Sequence, residues 1–369
     1  MTLSHPASPA DLSAEYMTAV MGEVFPGVHV NRVSLIDAKS YGEQMVSTAG
    51  RALVELDYSP AVASSALPKR LVVKLGRGVD EIMAPFYSNE VAFYRRIRPE
   101  LEREPEIEAP RCFGGGFAPE TGRFSLLLED LTARGAQFPN VTQTTSVEQV
   151  RALLDTQAAL HGRFWQSPRF STDLSWVETH LAGGVADLMN GLAPAYIQHE
   201  IDTVGFKREL VQKLRTTGPE LLAGVQAVQR HQAKLPQTLL HGDSHLGNTY
   251  LLPEGRGGLL DWQLMVRGYH LHDVNYLITT ALSVADRRTN ERELLTYYLD
   301  RLKAAGATAV PNFEESWREY RRALVWGVYI GWLTTPVVNY GWEINVMNHL
   351  RLVTAYEDHE TQALVSELL

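Results

Sequence analysis

Segment 239–263 concentrates the side chains of this sequence that are suited to group-transfer chemistry. It contains two histidines, two aspartates and an asparagine: His241, Asp243, His245, Asn248 and Asp261. A carboxylate such as Asp243 can accept the proton of an attacking hydroxyl, while an amide oxygen and a second carboxylate can hold Mg²⁺ between phosphate oxygens. These residue types together predict phosphoryl transfer to a hydroxyl group.

Two short apolar runs flank a glycine-rich turn within the same segment. The first covers residues 249–252 and the second residues 259–260. β-Prone runs on either side of such a turn predict a hairpin. In a hairpin the residue before the first strand lies beside the residue after the second, so Asn248 and Asp261 are expected to meet at its open end. Asp243 lies one loop away.

The order of these residues resembles the catalytic loop of the aminoglycoside phosphotransferase and choline kinase-like family, which reads H-G-D-x-H-x-x-N. Residues 241–248, here called the catalytic loop, read HGDSHLGN, and Asp-Trp follows at 261–262, as that family's metal-binding aspartate commonly precedes an aromatic. The spacing from Asp243 to Asn248 is also that of protein kinases, with Gly242 in place of arginine.

The resemblance implies a fold and a role for each residue. The fold would be α+β and two-lobed, of the protein-kinase-like type. Residues 1–130 would form a small nucleotide-binding lobe with an antiparallel sheet, and residues 131–369 a larger, mostly helical lobe for catalysis and acceptor binding. Asp243 would orient the acceptor hydroxyl and take its proton. Asn248 and Asp261 would complete the catalytic group by holding Mg²⁺.

The N-terminal part of the sequence predicts one helix followed by strands. Apolar spacing predicts the helix over residues 11–25. Three β-prone runs follow, at residues 30–36, 45–58 and 70–75. The link 37–43 suits a simple hairpin turn. In the resembling family it would instead cover the nucleotide phosphates with backbone N–H groups, which makes Ser40 a candidate cofactor-binding residue.

Lys74 and Glu90 are expected to form an inward-facing pair. Lys74 lies in the apolar strand 71–75. Glu90 lies in a helix expected to begin at Ser88, and apolar residues three, four and seven positions later place it on the inward face. An edge lysine and a carboxylate that only complements the helix N-terminus are the plain alternatives. The resemblance implies that the pair sets Lys74 against the α- and β-phosphates.

A strongly apolar strand is predicted at residues 123–128. The resemblance implies that it leads into the hinge between the lobes, where the backbone at Glu129 and Leu131 binds the adenine edge of ATP. The glycine run 114–116 has no strand-turn-helix context that would support phosphate binding, so a turn is predicted there.

Helical periodicity dominates from residue 147 onward. His161 is expected to be a core histidine rather than a catalyst. Asp273 is expected to open a helix, which it could cap, and in the resembling family an aspartate so placed braces the catalytic loop. Most aromatic residues near a break at 334–336 are expected in the core. They are Trp326, Trp332, Tyr340 and Trp342.

The composition excludes several classes of protein. With 369 residues, 45 % apolar and 21 % charged, the chain suits two globular lobes. Its net charge of −9 argues against a nucleic-acid binder. One cysteine, Cys112, rules out an intrachain disulfide. The sequence shows no signal-peptide pattern and no membrane-length apolar run, so a cytoplasmic protein is expected.

The expected function is ATP-dependent phosphotransfer to a small-molecule hydroxyl, with ATP and Mg²⁺ as cofactors. The chain leaves little room for an activation loop after Asp261, so no protein substrate is expected. Aminoglycosides, choline-like alcohols, macrolides, sugars and steroid-like alcohols stay open. The C-terminal aromatic residues favour an apolar hydroxyl compound, as in the ecdysteroid kinase-like branch.

Two rival functions belong to other classes. One is a catalytically silent nucleotide-binding protein. The other is a dinuclear metallohydrolase, in which His270, His272 and Asp273 would join the histidines and the aspartate of the catalytic loop in a zinc site. The second rival leaves Asn248 without a role.

Overall fold

The computed structural model describes residues 4–39, 49–60, 67–76 and 82–369. The chain forms two compact units. The first contains Met1–Pro105 and Ala109–Ala136, and the second contains Glu106–Glu108 and Gln137–Leu369. The sequence predicts a boundary between residues 130 and 131 and a separate function for each part. This division stays a prediction.

The first unit is built on a five-stranded antiparallel sheet with the strand order β1-β2-β3-β5-β4. Its strands are β1 (Val30–Lys39), β2 (Gly50–Tyr58), β3 (Arg70–Leu75), β4 (Cys112–Ala118) and β5 (Arg123–Glu129). Val54, Leu71 and Val73 are fully buried in its core. Helix α1 (Ala14–Gly22), capped by Ser13, packs its apolar face on this core. The antiparallel sheet expected for this part is confirmed.

The predicted strands differ from the observed ones mainly at their ends. β1 continues to Lys39, so the part of the predicted link before residue 40 is strand. Residues 40–48 lie outside the described residues, and with them Ser40 and the start of the second predicted strand. Strand β3 has the predicted limits.

The glycine run 114–116 lies inside a strand, so the prediction of a turn is wrong. Gly114 and Gly115 have φ values of +140° and +133°, and the pairing of β4 with β5 shifts register between Cys112 and Gly115. A Cβ at Gly115 would lie 2.2 Å from the carbonyl oxygen of Ser125. The glycines therefore allow a bulge within the strand, where the two backbones approach closely.

Helix α2 (Ala84–Ala92) carries Glu90 and continues into a π-helical segment at Phe93–Ile97. The prediction that this helix begins at Ser88 is wrong. Its first turn contains Pro85, and proline is favoured there because the first helical N–H groups have no intrahelical partner. Glu90 is fully buried, as the apolar spacing predicted.

The second unit is mainly helical. Its longer helices are α3 (Val147–Arg163), α5 (Ala193–Thr203), α6 (Gly205–Lys213), α7 (Gly218–Gln232), α8 (Leu271–Ala281), α9 (Val284–Ala304), α10 (Phe313–Trp326) and α12 (Trp342–Asp358). Short helices are α4 (Gly184–Asp187), α11 (Val337–Tyr340) and α13 (Thr361–Ser366). Two short antiparallel sheets pair β6 (Thr238–Leu240) with β9 (Val266–Gly268) and β7 (Thr249–Leu251) with β8 (Gly257–Leu259).

Helix α8 is the centre of the second unit, because every one of its residues is buried. Leu277 and Ile278 pack with residues of α3 and α9, and Tyr276 packs with residues of α7, α10 and α12. The mostly helical character expected here is confirmed, including the break at 334–336. Among the described residues, no helix combines the length and apolarity that crossing a membrane requires.

Candidate active site

The hairpin expected in segment 239–263 is formed by β7 and β8. Thr249 pairs with Leu259, and the N–H of Leu260 donates to the carbonyl oxygen of Asn248 at 2.8 Å. This last hydrogen bond closes the open end of the hairpin. Asn248 and the residue before Asp261 are therefore backbone neighbours, as the sequence predicted.

Asn248 is oriented by Asp243. Its Nδ2 donates to the backbone oxygen of Asp243 at 2.8 Å and to the Oδ2 of the same residue at 3.0 Å. Because the nitrogen is fixed in this way, the amide oxygen Oδ1 faces away from Asp243 as an acceptor. An amide oxygen held in one direction is a suitable Mg²⁺ ligand.

Asp261 adopts a left-handed backbone conformation, with φ +62° and ψ +72°. Aspartate tolerates this region better than most residues, and here the conformation ends the hairpin and starts the short 3₁₀ turn Trp262–Leu264. Its Oδ1 accepts a hydrogen bond from Nε2 of Gln263. Together with Asn248, Asp261 supplies the hard oxygen donors that Mg²⁺ prefers, so these residues fit the ion.

Asp243 lies close enough to Asp261 for the two carboxylates to repel each other. Burial, followed by the charge of Asp261, raises the pKa of Asp243 to about 7, although the hydrogen bond from Asn248 opposes the shift. The side chain remains 27 % exposed. Asp243, Asn248 and Asp261 thus come together in one place, with two like charges that favour a bound cation.

Asp273 braces the catalytic loop from α8. Its Oδ2 accepts the N–H of His241 at 2.7 Å, and its Oδ1 accepts the N–H of Gly242 at 2.9 Å. Burial raises the pKa of Asp273. The hydrogen bond from His161 and the charges of His161, His272 and His241 lower it by more, so the pKa is about 2. The helix begins at Leu271 rather than at Asp273, so the bracing role is the one observed.

His161 is a core histidine, as expected, and it belongs to the bracing group. Its Nε2 lies 3.2 Å from Oδ2 of Asp273, and its Nδ1 lies 2.7 Å from the hydroxyl of Tyr298. The ring is fully buried. His161 therefore supports the catalytic loop through Asp273 without reaching the reacting groups.

The backbone conformation and close packing at position 242 require glycine, where protein kinases have arginine. Its φ is +82°, and a Cβ there would lie 1.9 Å from the carbonyl oxygen of Leu264. That carbonyl belongs to the turn following Asp261. The close approach holds the catalytic loop against this turn and leaves no room for a side chain.

Two histidines of the rival zinc site, His241 and His272, contact backbone carbonyl oxygens. His241 Nε2 lies 2.6 Å from the carbonyl oxygen of Leu260, and His272 Nε2 lies 3.0 Å from that of Gly242. Across residues 4–39, 49–60, 67–76 and 82–369, histidine, cysteine and acidic side chains form no group of three that could hold a metal. The backbone partners thus favour a structural role for His241 and His272.

Lys74 and Glu90 form the predicted ion pair inside the first unit. Nζ of Lys74 donates to both carboxylate oxygens of Glu90, at 2.8 and 2.7 Å. The side chains are 4 % and 1 % exposed, respectively. The pair is therefore a buried, bidentate contact, and its role toward a nucleotide stays a prediction.

The remaining candidate cofactor residues keep their roles as predictions. Ser40 lies outside the described residues. Glu129 ends β5, and its N–H donates to the carbonyl oxygen of Arg111 at 2.9 Å. Leu131 is buried at the start of a 3₁₀ turn that Asp130 caps. Binding of the adenine edge at Glu129 and Leu131 therefore stays a prediction.

For phosphoryl transfer the sequence assigns no task to His245 or Gln263, although His245 is a zinc ligand in the rival metallohydrolase. His245 was part of the quoted motif, and its Nε2 lies 4.0 Å from Oδ2 of Asp243. Burial, followed by the charge of His241, lowers the pKa of His245 to about 4, so the ring is neutral at pH 7. Gln263 follows the Asp-Trp pair, and its Nε2 donates a hydrogen bond to the carboxylate of Asp261.

Aromatic and apolar side chains surround the catalytic loop. His245 packs edge-on against Tyr276 and Trp332, with ring centroids 5.8 and 5.7 Å away. A small cleft beside Gly242 is lined mainly by apolar side chains, among them Trp326. The catalytic loop therefore borders aromatic and apolar side chains of this unit.

Comparison with family models identifies a match over residues 42–308 to the ecdysteroid kinase-like family. The chain belongs to this family. The match includes the catalytic loop, Asp261 and the Lys74–Glu90 pair. A comparison with curated proteins gave no match.

Solved structures show the fold of this ecdysteroid kinase-like protein. An ethanolamine kinase from Plasmodium vivax is 12 % identical, with a TM-score of 0.53 over 94 % of this chain and 88 % of the other. A choline kinase from Streptococcus pneumoniae is 13 % identical, with a TM-score of 0.45 over 93 % and 98 %. An aminoglycoside phosphotransferase from Streptomyces rimosus is 16 % identical, with a TM-score of 0.46 over 87 % and 98 %. The α+β, protein-kinase-like fold and the stated resemblance are confirmed, and family and fold are those of small-molecule kinases.

Proposed function

We propose that this ecdysteroid kinase-like protein transfers the γ-phosphate of ATP to a hydroxyl group of a small molecule, with Mg²⁺ as cofactor. The observation that carries the proposal is that Asp243 and Asn248 of the braced catalytic loop lie close to Asp261. One carboxylate can then accept a proton, while the second carboxylate and the oriented amide oxygen can hold a cation beside it.

Each residue has a distinct task in this reaction. Asp243 orients the attacking hydroxyl and accepts its proton. Asn248 and Asp261 hold Mg²⁺, which when bound neutralises charge on the phosphate oxygens. Asp273 fixes the loop so that the carboxylate of Asp243 needs little rearrangement during the reaction. Because the transition state is loose, positioning supplies a large share of the rate.

The residues of the first unit are proposed to bind the nucleotide. Lys74, held by Glu90, binds the α- and β-phosphates. The backbone at Glu129 and Leu131 binds the adenine edge, and the loop with Ser40 covers the phosphates. Support for these roles comes from the buried ion pair and from the family to which the chain belongs.

The acceptor is proposed to be a hydroxyl compound with an apolar ring or chain. Support comes from the aromatic rings around His245 and from the ecdysteroid kinase-like family to which the chain belongs. A steroid-like alcohol suits such walls better than an aminoglycoside, because several positive charges would require acidic partners. No protein substrate is proposed.

A coupled assay of ADP release tests the function directly. The protein is incubated with ATP and Mg²⁺ and with choline, streptomycin, a macrolide, a sugar or a steroid alcohol as acceptor. Asp243→Ala is expected to lower turnover about 10²- to 10⁴-fold, the usual contribution of a general base, while ATP·Mg²⁺ binding by calorimetry remains. Phosphotransfer at the wild-type rate by this variant would refute the assignment. Binding of ATP without ADP release from any acceptor would instead indicate a nucleotide-binding protein without kinase activity.

A further inference from the structure

The position of one proton on His245 follows from its hydrogen bonds. Its Nδ1 accepts the N–H of Gly247 at 3.0 Å, so His245 caps the short 3₁₀ turn Leu246–Asn248. A ring nitrogen that accepts a hydrogen bond carries no proton, and the proton of the ring is then on Nε2. His245 is therefore a hydrogen-bond donor at Nε2.

The direction of this donor is fixed by packing. The ring lies edge-on to Tyr276 and Trp332, and a Cβ at Gly247 would lie 2.7 Å from its Cε1. The Nε2 of His245 faces Oδ2 of Asp243 at 4.0 Å. That distance is too long for a direct hydrogen bond, but one oxygen atom about 2.8 Å from each can bridge them.

We propose that His245 is a catalytic residue that donates a hydrogen bond from Nε2 to the oxygen of the acceptor hydroxyl. The same hydroxyl donates its proton to Asp243, so the two side chains hold one oxygen from two directions. The inference rests on the proposed function, and it adds a residue to which that function assigned no task. A free hydroxyl can rotate about its C–O bond, whereas this arrangement turns its O–H bond toward the carboxylate.

The transfer step balances with this donor in place. A lone pair of the acceptor oxygen forms a bond to the γ-phosphorus of ATP. The bond between that phosphorus and the bridging oxygen of the β-phosphate breaks, and its electron pair stays on ADP. The hydroxyl proton moves to Asp243, which later releases it to water. His245 keeps its own proton throughout, because it positions the oxygen and takes no part in the proton transfer.

The alternative is that His245 acts only as the cap of the turn leading to Asn248. Two variants separate the possibilities. His245→Asn keeps a side-chain oxygen that can accept the N–H of Gly247, since asparagine is a good cap, but its amide is too short to reach the bridging oxygen. His245→Gln keeps an amide N–H at about the reach of Nε2.

Steady-state kinetics on the full-length protein test the proposal. The probes are choline, streptomycin, a steroid alcohol and water, each with ATP and Mg²⁺, and thermal unfolding with ATP·Mg²⁺ calorimetry checks each variant. His245→Asn is expected to lower kcat/KM for the hydroxyl probe about tenfold, the effect of one hydrogen bond, with ATP·Mg²⁺ affinity unchanged. His245→Gln is expected to stay within about threefold of wild type.

Three results would overturn the proposal. These are wild-type kinetics for His245→Asn, equal losses in both variants, or a loss in His245→Asn that follows reduced ATP·Mg²⁺ affinity. If His245→Asn does not fold, a His245→Gln protein as impaired as His245→Phe, which keeps a ring without a donor, would refute it. Failure of the proposed function would be visible earlier, because the wild type would then transfer phosphate to none of the probes.

Discussion

The two charged centres of this protein differ in how their charges are balanced. In the first unit, Lys74 and Glu90 neutralise each other at 2.7 Å. In the second unit, Asp243 and Asp261 are like charges, and their repulsion adds to burial in raising the pKa of Asp243 to about 7. The charges of the first centre balance without a ligand, whereas a bound cation would relieve the repulsion in the second. Two like charges held close together therefore suit the cation site that we propose.

Asp261→Asn should produce the largest effect, because it removes the charge that holds the cation. Turnover is expected to fall at least about 10³-fold, as for removal of a main electrostatic contact. Asparagine tolerates the left-handed backbone of this position, so the fold should be kept. ADP release at increasing Mg²⁺ concentrations measures the loss. Normal turnover at ordinary Mg²⁺ would mean that Asp261 is not a metal ligand.

Glu90→Ala should destabilise the first unit by about 3–5 kcal/mol, since it leaves the buried Lys74 charge without its carboxylate. The double variant Lys74→Met with Glu90→Leu should recover most of this stability, because no buried charge remains, yet it should bind ATP more weakly. Urea unfolding and ATP calorimetry provide the two readouts. Asp173→Ala, which breaks the exposed pair with Arg169, is the control and should cost much less stability than Glu90→Ala. Equal costs in both pairs would contradict the buried-pair interpretation.

Asp273→Asn should cost about 2–3 kcal/mol at neutral pH, the linkage value for a carboxylate whose folded pKa is near 2. The folded pKa is depressed, so the stabilisation is complete above pH 4 and is lost as the pH falls through 2. The difference in unfolding free energy between wild type and variant should shrink over that range. Asp300→Asn, at an exposed site, serves as the control. A difference that stays constant to pH 2 would argue against the depressed pKa.

Asp243→Asn should show an effect of opposite sign, a gain in stability at pH 8 of at most about 4 kcal/mol. The folded pKa is raised to about 7, so the protonated carboxyl stabilises the fold below pH 4, and this term is lost as the pH rises toward 7. Unfolding measured from pH 4 to 8 should show the gain developing. Saturating Mg²⁺ should reduce the gain, because a cation offsets the repulsion. A gain independent of Mg²⁺ would separate Asp243 from the cation site.

The parts of the site set by local sequence could be predicted. The hairpin that brings Asn248 beside Asp261 follows from two apolar runs and a turn, and the burial of Glu90 follows from helical spacing. Both depend on residues close to one another in the chain. The bracing by Asp273 was available only through the resemblance, because its partners lie about thirty residues upstream.

The parts that depend on distant elements could not be predicted. The bulge at Gly115 requires the backbone of Ser125, and the neighbouring Gly114 approaches Val20 of α1. The hydrogen bond between His161 and Tyr298 joins residues far apart in sequence. No local sequence pattern indicates contacts between such distant segments, and the sequence therefore predicts a turn at the glycines.

The hairpin of β7 and β8 offers a place for a spectroscopic reporter. Its turn carries the exposed Glu254, while pairing between the strands fixes the other end near Asn248. Cys112 is the single native thiol, and burial raises its pKa to about 11, which makes it a poor nucleophile. A fluorophore attached to a Glu254→Cys protein would therefore label one site selectively, giving an optical signal for ligand titrations that require no knowledge of the acceptor.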